Sequence, residues 1–143
     1  MNKELFTSNS NEWETPQDLF DELNKEFNFD VDVCATKENA KCKKFYTKEN
    51  NGLKQDWLGK VVWCNPPYGR EVTSWIDKAY KSQTNSYSTT IVMLLPARTD
   101  TRWFHNYLYG KAEIRFIKGR LKFSNSKNSA PFPSMIVILK NKL

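Results

Sequence analysis

Five consecutive apolar residues, Ile91-Val92-Met93-Leu94-Leu95, constrain this chain more than any other feature. A strand alternates its side chains between two faces, so a strand with no polar position needs apolar cover on both. That points to a strand inside a mostly parallel sheet, layered between helices. With 143 residues there is material for one such core and little for two.

The flanking pattern supplies the other layers. Thr15-Pro16-Gln17-Asp18 reads as a helix start, with Thr15 as N-cap, Pro16 at the first helical position and Asp18 closing a capping box. Leu19, Phe20, Leu23 and Phe27 continue it at helical spacing. Residues 29–34 alternate as a strand, and Val61 to Cys64 form a second. A helix carrying Val72, Trp75, Ile76, Ala79 and Tyr80 follows, and another carries Trp103, Phe104, Tyr107 and Leu108. Strands are expected over 114–117 and 135–139, with a turn back through 121–123. The expected architecture is a compact, twisted, mostly parallel α/β sheet with helices on both faces and an antiparallel C-terminal strand. Residues 1–12 are read as a flexible arm, and 13–143 as a single domain.

The sharpest local signal is Asn65-Pro66-Pro67-Tyr68, directly after the second strand. Open α/β sheets bind ligands at the carboxyl ends of their strands. The four residues suit chemistry on an exocyclic amine, whose lone pair is delocalised into its ring. Two acceptors converging on the amino hydrogens draw the nitrogen toward an attacking geometry. The Asn65 side-chain oxygen and the Pro66 carbonyl are the candidates, with Pro66 and Pro67 holding the backbone aim. Tyr68 would offer a flat face to a base swung out of a duplex. Such a displacement requires neither a covalent nucleophile nor a metal.

With those residues the chain resembles the phage-type DNA N6-adenine methyltransferases, a branch of the Rossmann-like methyltransferases. Further matches are 12–16, 32–35, Gly52-Leu53, Asp56-Trp57, 94–100 and 130–134. The resemblance implies S-adenosylmethionine as cofactor and the N6 amine of adenine in DNA as acceptor. It places Trp13, Thr15 and Pro16 at the methionine end of the cofactor. Asp32, Cys34 and Ala35 become the first cofactor loop, and Asp56 approaches the adenine ring. Read from the residues alone, the competing readings are a helix cap for Thr15, a solvated strand residue for Asp32 and a turn residue for Asp56; Glu49 is read as a solvated loop glutamate. The chain departs from the methyltransferase pattern in one respect: Cys34-Ala35-Thr36-Lys37 stands where a glycine-rich turn is usual.

The charge fits a polyanionic partner: 22 basic residues against 16 acidic give +6. Lys41, Lys43 and Lys44, with Arg98 and Arg120, are the expected phosphate contacts. Five Trp, six Tyr and nine Phe serve either a core or base stacking. Three cysteines without a CxxC pair, and the single His105, do not make a zinc site. Without a signal-peptide pattern or an apolar run of membrane length, the expectation is a soluble, cytoplasmic protein, a monomer or a homodimer. Two alternatives stay open: the same acceptors acting on an RNA amine or a protein amide, and a nucleic-acid-binding relative that has lost its cofactor.

Overall fold

The computed structural model describes residues 11–141. Helix α1 (Gln17–Phe27) leads into β1 (Val31–Asp32), and a long connection carries a single 3-10 turn at Gly52–Lys54. Then come β2 (Val61–Cys64), α2 (Val72–Asn85), β3 (Thr90–Pro96), a π-helical turn (Phe104–Leu108), β4 (Glu113–Phe116) and β5 (Ser134–Leu139).

The five strands form one sheet in the order β1-β2-β3-β5-β4. β1, β2 and β3 run parallel, with Val62 beside Val31 and Ile91. β5 is antiparallel to both its neighbours, pairing Met93 with Val137 and Ile114 with Val137. The expected antiparallel C-terminal strand is therefore an interior strand, and the expected α/β architecture holds.

The apolar run of β3 splits as its alternation demands. Ile91, Met93 and Leu95 join Val62, Cys64, Val137 and the α2 residues Val72, Trp75, Ile76 and Ala79 in one core layer. Val92 and Leu94 join Trp63, Ile136, Ile138 and the α1 residues Phe20 and Leu23 in the other. Helices thus cover both faces, and β3 is buried from Ile91 to Pro96.

Four local expectations change. The expected strand over 29–34 shortens to Val31–Asp32, although Asp30 and Val33 still donate to the carbonyls of Val61 and Trp63. The helix after Asp100 becomes a π turn, closed by Tyr109 N–H donating to the Phe104 carbonyl at 2.8 Å. Residues 121–123 form no strand; Phe123 instead plugs the α1-side core at 1% exposure. Thr15 does not cap α1: the N-cap is Pro16, without a side-chain cap, and Asp18 accepts from its neighbour Leu19 N–H.

Residues 1–10 of the expected arm lie outside the described residues. Its last two residues are tied to the fold, since the Asn11 carbonyl accepts from Tyr68 N–H at 2.7 Å and the Glu12 carbonyl from Asn125 Nδ2 at 2.9 Å.

Candidate active site

Parallel β1 and β2 end at the same edge of the sheet, and the chain leaving each bends over a cavity of about 970 Å³. Val33, Cys34 and Ala35 line it from β1; Asn65, Pro66 and Pro67 line it from β2. Trp13 and Thr15 close one side, while Gly52, Leu53 and Trp75 wall another. The volume is at the upper end of small-molecule sites, roughly 300–1,000 Å³.

Asn65 is the most constrained polar group in this cavity. Its Nδ2 donates to the Trp13 carbonyl and, at 3.0 Å, to Thr15 Oγ1. A carbonyl can only accept, so the amide nitrogen must face Trp13 and the amide oxygen must face away. That oxygen, Oδ1, is buried and has no partner. Buried acceptors are rarely left unpaired, and an unpaired one costs about 1–3 kcal/mol. No described donor occupies the Pro66 carbonyl either. Thr15, 4% exposed, is the acceptor that helps orient Asn65.

The segment holding Asn65 is itself held from far along the chain. Asn125 Oδ1 accepts from Glu14 N–H at 3.0 Å while its Nδ2 reaches the Glu12 carbonyl, bracketing Trp13. Ser124 N–H donates to the Glu14 carbonyl, and Ser124 Oγ to that of Thr15. The Trp13 ring packs against Phe123 and Phe132 with centroids 5.4 and 5.2 Å away. Ser124 and Asn125 lie in a polar loop with no distinguishing pattern, so sequence reading missed them.

The glycine-poor loop after β1 is built by side chains. Asp32, 3% exposed, accepts from Cys34 N–H at 3.2 Å with one oxygen and from Lys41 N–H at 3.1 Å with the other. Thr36 and Asn39 exchange hydrogen bonds between side chains and backbone amides. No described residue of this loop has a positive φ, so it needs no glycine. Burial pushes the Asp32 carboxyl up to about 6, against the pull of its two amides. Burial likewise raises the Cys34 thiol to about 12, so it stays neutral, and holds Cys64 well above the usual thiol range.

Three expected site residues fall elsewhere. Asp56 is exposed, accepts from Leu58 N–H at 2.9 Å as a turn residue, and lies off this cavity. Tyr68 does not present a stacking face: it is 2% exposed, donates to the Leu94 carbonyl at 3.0 Å, and packs edge-on against Phe132. Its ring belongs to the α1-side core, where it fastens the Pro-Pro bend to β3. Burial holds its phenol neutral, well above the usual range, so it remains a donor. Pro16 starts α1 and does not line the cavity.

Of the basic residues, Lys41 lines the cavity with its ammonium on Gln17 Oε1 at 2.8 Å. Lys43, Lys44, Arg98 and Arg120 are exposed, with Arg98 lying over the Phe132 ring at 5.9 Å. The cavity wall has the opposite sign: Glu12, Glu14, Asp32, Glu38, Glu49 and Glu71 face only Lys37, Lys41 and Lys48. Glu49 therefore borders the site, its carboxylate accepting from Thr47 Oγ1. Among the described residues no cluster of metal-ligating side chains occurs, and no helix is long and apolar enough to cross a membrane.

Residues 3–142 match the family model described as DNA N-6-adenine-methyltransferase (Dam). A DNA N-6-adenine-methyltransferase of Haemophilus phage HP1 is 35% identical over 138 residues, covering 91% of this chain and 79% of that protein. One of Escherichia phage T1 is 38% identical over 111 residues, covering 76% of this chain and 45% of that longer protein.

Proposed function

Because the chain belongs to the DNA N-6-adenine-methyltransferase family, we propose that it moves a methyl group from S-adenosylmethionine to the N6 amine of adenine in DNA. The observation that carries this reading is Asn65 Oδ1: a buried acceptor, oriented by Trp13 and Thr15, with no partner of its own. An amino hydrogen of the substrate base is the donor it lacks.

The residues present fit the cofactor. The carboxylate-rich wall favours a ligand bearing a sulfonium and an ammonium, in a chain that is otherwise basic. When bound, S-adenosylmethionine supplies a methyl group on positive sulfur, activated for direct in-line displacement. Trp13, Thr15 and the Cys34-Ala35 turn line the space that would hold it. We read the sheet as Rossmann-like, with the ligand at the carboxyl ends of parallel strands and helices on both faces. Residues 13–143 are read as one catalytic domain.

The chain's own residues then divide the work. Asn65 Oδ1 and the Pro66 carbonyl accept from the two N6 hydrogens of an adenine extruded from the stack, concentrating the nitrogen lone pair toward the methyl group. Pro66 and Pro67 keep that carbonyl from swinging, so little reorganisation remains at the moment of transfer. Tyr68 positions the bend from behind. The exposed Lys43, Lys44, Arg98 and Arg120 hold phosphates and set register without reading sequence. The proton leaving N6 after transfer passes to solvent at the open side.

The test is transfer of a labelled methyl group to duplex DNA, structured RNA and glutamine-containing peptide in parallel. Digestion of the DNA to nucleosides should place the label in N6-methyladenine. Label confined to RNA or peptide would replace the substrate, and no transfer with intact cofactor binding would remove the catalytic reading.

A further inference from the structure

Among the described residues three buried side-chain atoms have no hydrogen-bond partner: Asn65 Oδ1, Trp75 Nε1 and Ser134 Oγ. Asn65 and Trp75 line the same cavity. Asn65 offers an acceptor and Trp75 a donor, so the cavity wall carries both halves of a polar recognition pattern that the protein does not itself complete.

Trp75 sits in the first turn of α2, 6% exposed, with its ring stacked 6.2 Å from Trp57. The two indoles are treated differently. Trp57 Nε1 donates to the Gly52 carbonyl at 2.9 Å, as a structural tryptophan should, whereas Trp75 Nε1 is left without an acceptor. The Trp75 ring also lies close against Gly52. A Cβ on Gly52 would stand 2.0 Å from the Val33 carbonyl oxygen and 3.1 Å from Trp75 Cη2, so glycine is required for these three to meet.

This wall differs chemically from the Trp13 wall. Val33, Cys34, Tyr46 and Leu53 share one apolar cluster with Trp75, while Trp13 packs against the cluster on the opposite face of the sheet. Asn51 and Glu49 also line the cavity, close in sequence to Leu53. An apolar surface, an unpaired indole N–H on a lining residue and the oxygen acceptors of Asn51 and Glu49 on the same cavity suit a nucleoside: a purine nitrogen or ribose oxygen for the N–H, and ribose hydroxyls for the acceptors. Asp56, which the resemblance placed at the adenine ring, lies off the cavity and leaves that role open.

We infer that Trp75 Nε1–H is a hydrogen-bond donor to the nucleoside part of the cofactor, which puts the methyl-bearing end toward Trp13 and Asn65. This rests on the cofactor reading above.

The experiment is calorimetric titration of the full chain, wild type and Trp75→Phe, with S-adenosylhomocysteine, 5′-methylthioadenosine and methionine. Phenylalanine keeps an aromatic ring against Trp57 and removes the donor together with the outer fused ring, so a moderate loss of stability accompanies it. Trp75→Phe should weaken both nucleoside ligands by the same factor, on the order of tenfold, and leave methionine binding unchanged. Unchanged affinities, or a loss seen with S-adenosylhomocysteine but not methylthioadenosine, overturn the assignment while leaving the functional reading intact. If wild type binds none of the nucleosides at millimolar concentration, the functional reading falls and takes this one with it. Should the variant fail to fold, the ¹⁵N-indole spectrum of wild type decides the question. The Trp75 Nε1–H resonance should move on adding methylthioadenosine, and a stationary signal in the bound protein overturns the inference.

Discussion

Thr15 Oγ1 accepts a hydrogen bond from Asn65 Nδ2 at 3.0 Å, across 50 positions of sequence. The hydroxyl sits just before α1, and the amide sits at the end of β2. Their contact, with the Trp13 carbonyl, fixes which face of the amide is free. A rotated amide would present N–H to a substrate amine and repel it, so the Trp13 carbonyl, which can only accept, sets the sign of the interaction and the Thr15 hydroxyl supports it.

Thr15→Val keeps the shape of the buried side chain and removes the acceptor. Single-turnover methyl transfer should slow by roughly tenfold, and Thr15→Ser should restore most of it. Asn65→Ala should slow transfer by about 10²–10³, as removal of a preorganised polar group does elsewhere. Calorimetry should find cofactor affinity nearly unchanged in Asn65→Ala. A near-normal rate there would refute the acceptor role.

Asn125 touches no cavity residue's reactive atom, yet it brackets Trp13 through Glu12 and Glu14. Asn125→Ala should raise the amide exchange rate of Glu14 by tenfold or more and weaken cofactor binding about three- to tenfold. Global stability should fall by less than about 1 kcal/mol, since the residue is exposed. Unaltered exchange at Glu14 would mean the bridge restrains nothing.

Tyr68 is expected to behave as a fastening residue. Tyr68→Phe deletes the donor to the Leu94 carbonyl and should cost about 1–2 kcal/mol in urea unfolding. Its KM for DNA should stay within about twofold of wild type, because the ring is already buried at 2% exposure. A large KM increase with unchanged stability would return the ring to the substrate.

Asp32 predicts a pH signature. Its folded carboxyl titrates near 6 against an ordinary 3.8, so between those values the folded protein holds the proton that the unfolded chain releases. Its stabilising contribution is fully present below about 3.8 and is lost as pH rises through 6, a change of about 3 kcal/mol. Asp32→Asn removes the titration but keeps only one acceptor for two amides. The stability of wild type over Asp32→Asn should therefore shrink from pH 4 to pH 7 in urea titrations. A gap that widens with pH would contradict a raised carboxyl.

Much of this molecule was legible because it follows from local pattern. The apolar run 91–95 required cover on both faces and received it from α1 and α2. The diproline after Val61–Cys64 had to end its strand, and that strand end borders the cavity. Asn65 was identifiable because few residue types present an amide oxygen beside a rigid bend. What the tertiary structure alone decided is which oxygen and which ring meet the cavity. Thr15 reads as a helix cap until β2 brings Asn65 beside it. Tyr68 reads as a stacking platform until Phe123 and Phe132, more than fifty residues later, enclose its ring. Trp75 reads as one more core residue on an amphipathic helix, and only its missing acceptor sets it apart from Trp57. Local periodicity assigns a side chain to a face; partners distant in sequence decide whether its polar atoms are satisfied there, and unsatisfied atoms are where a ligand can act.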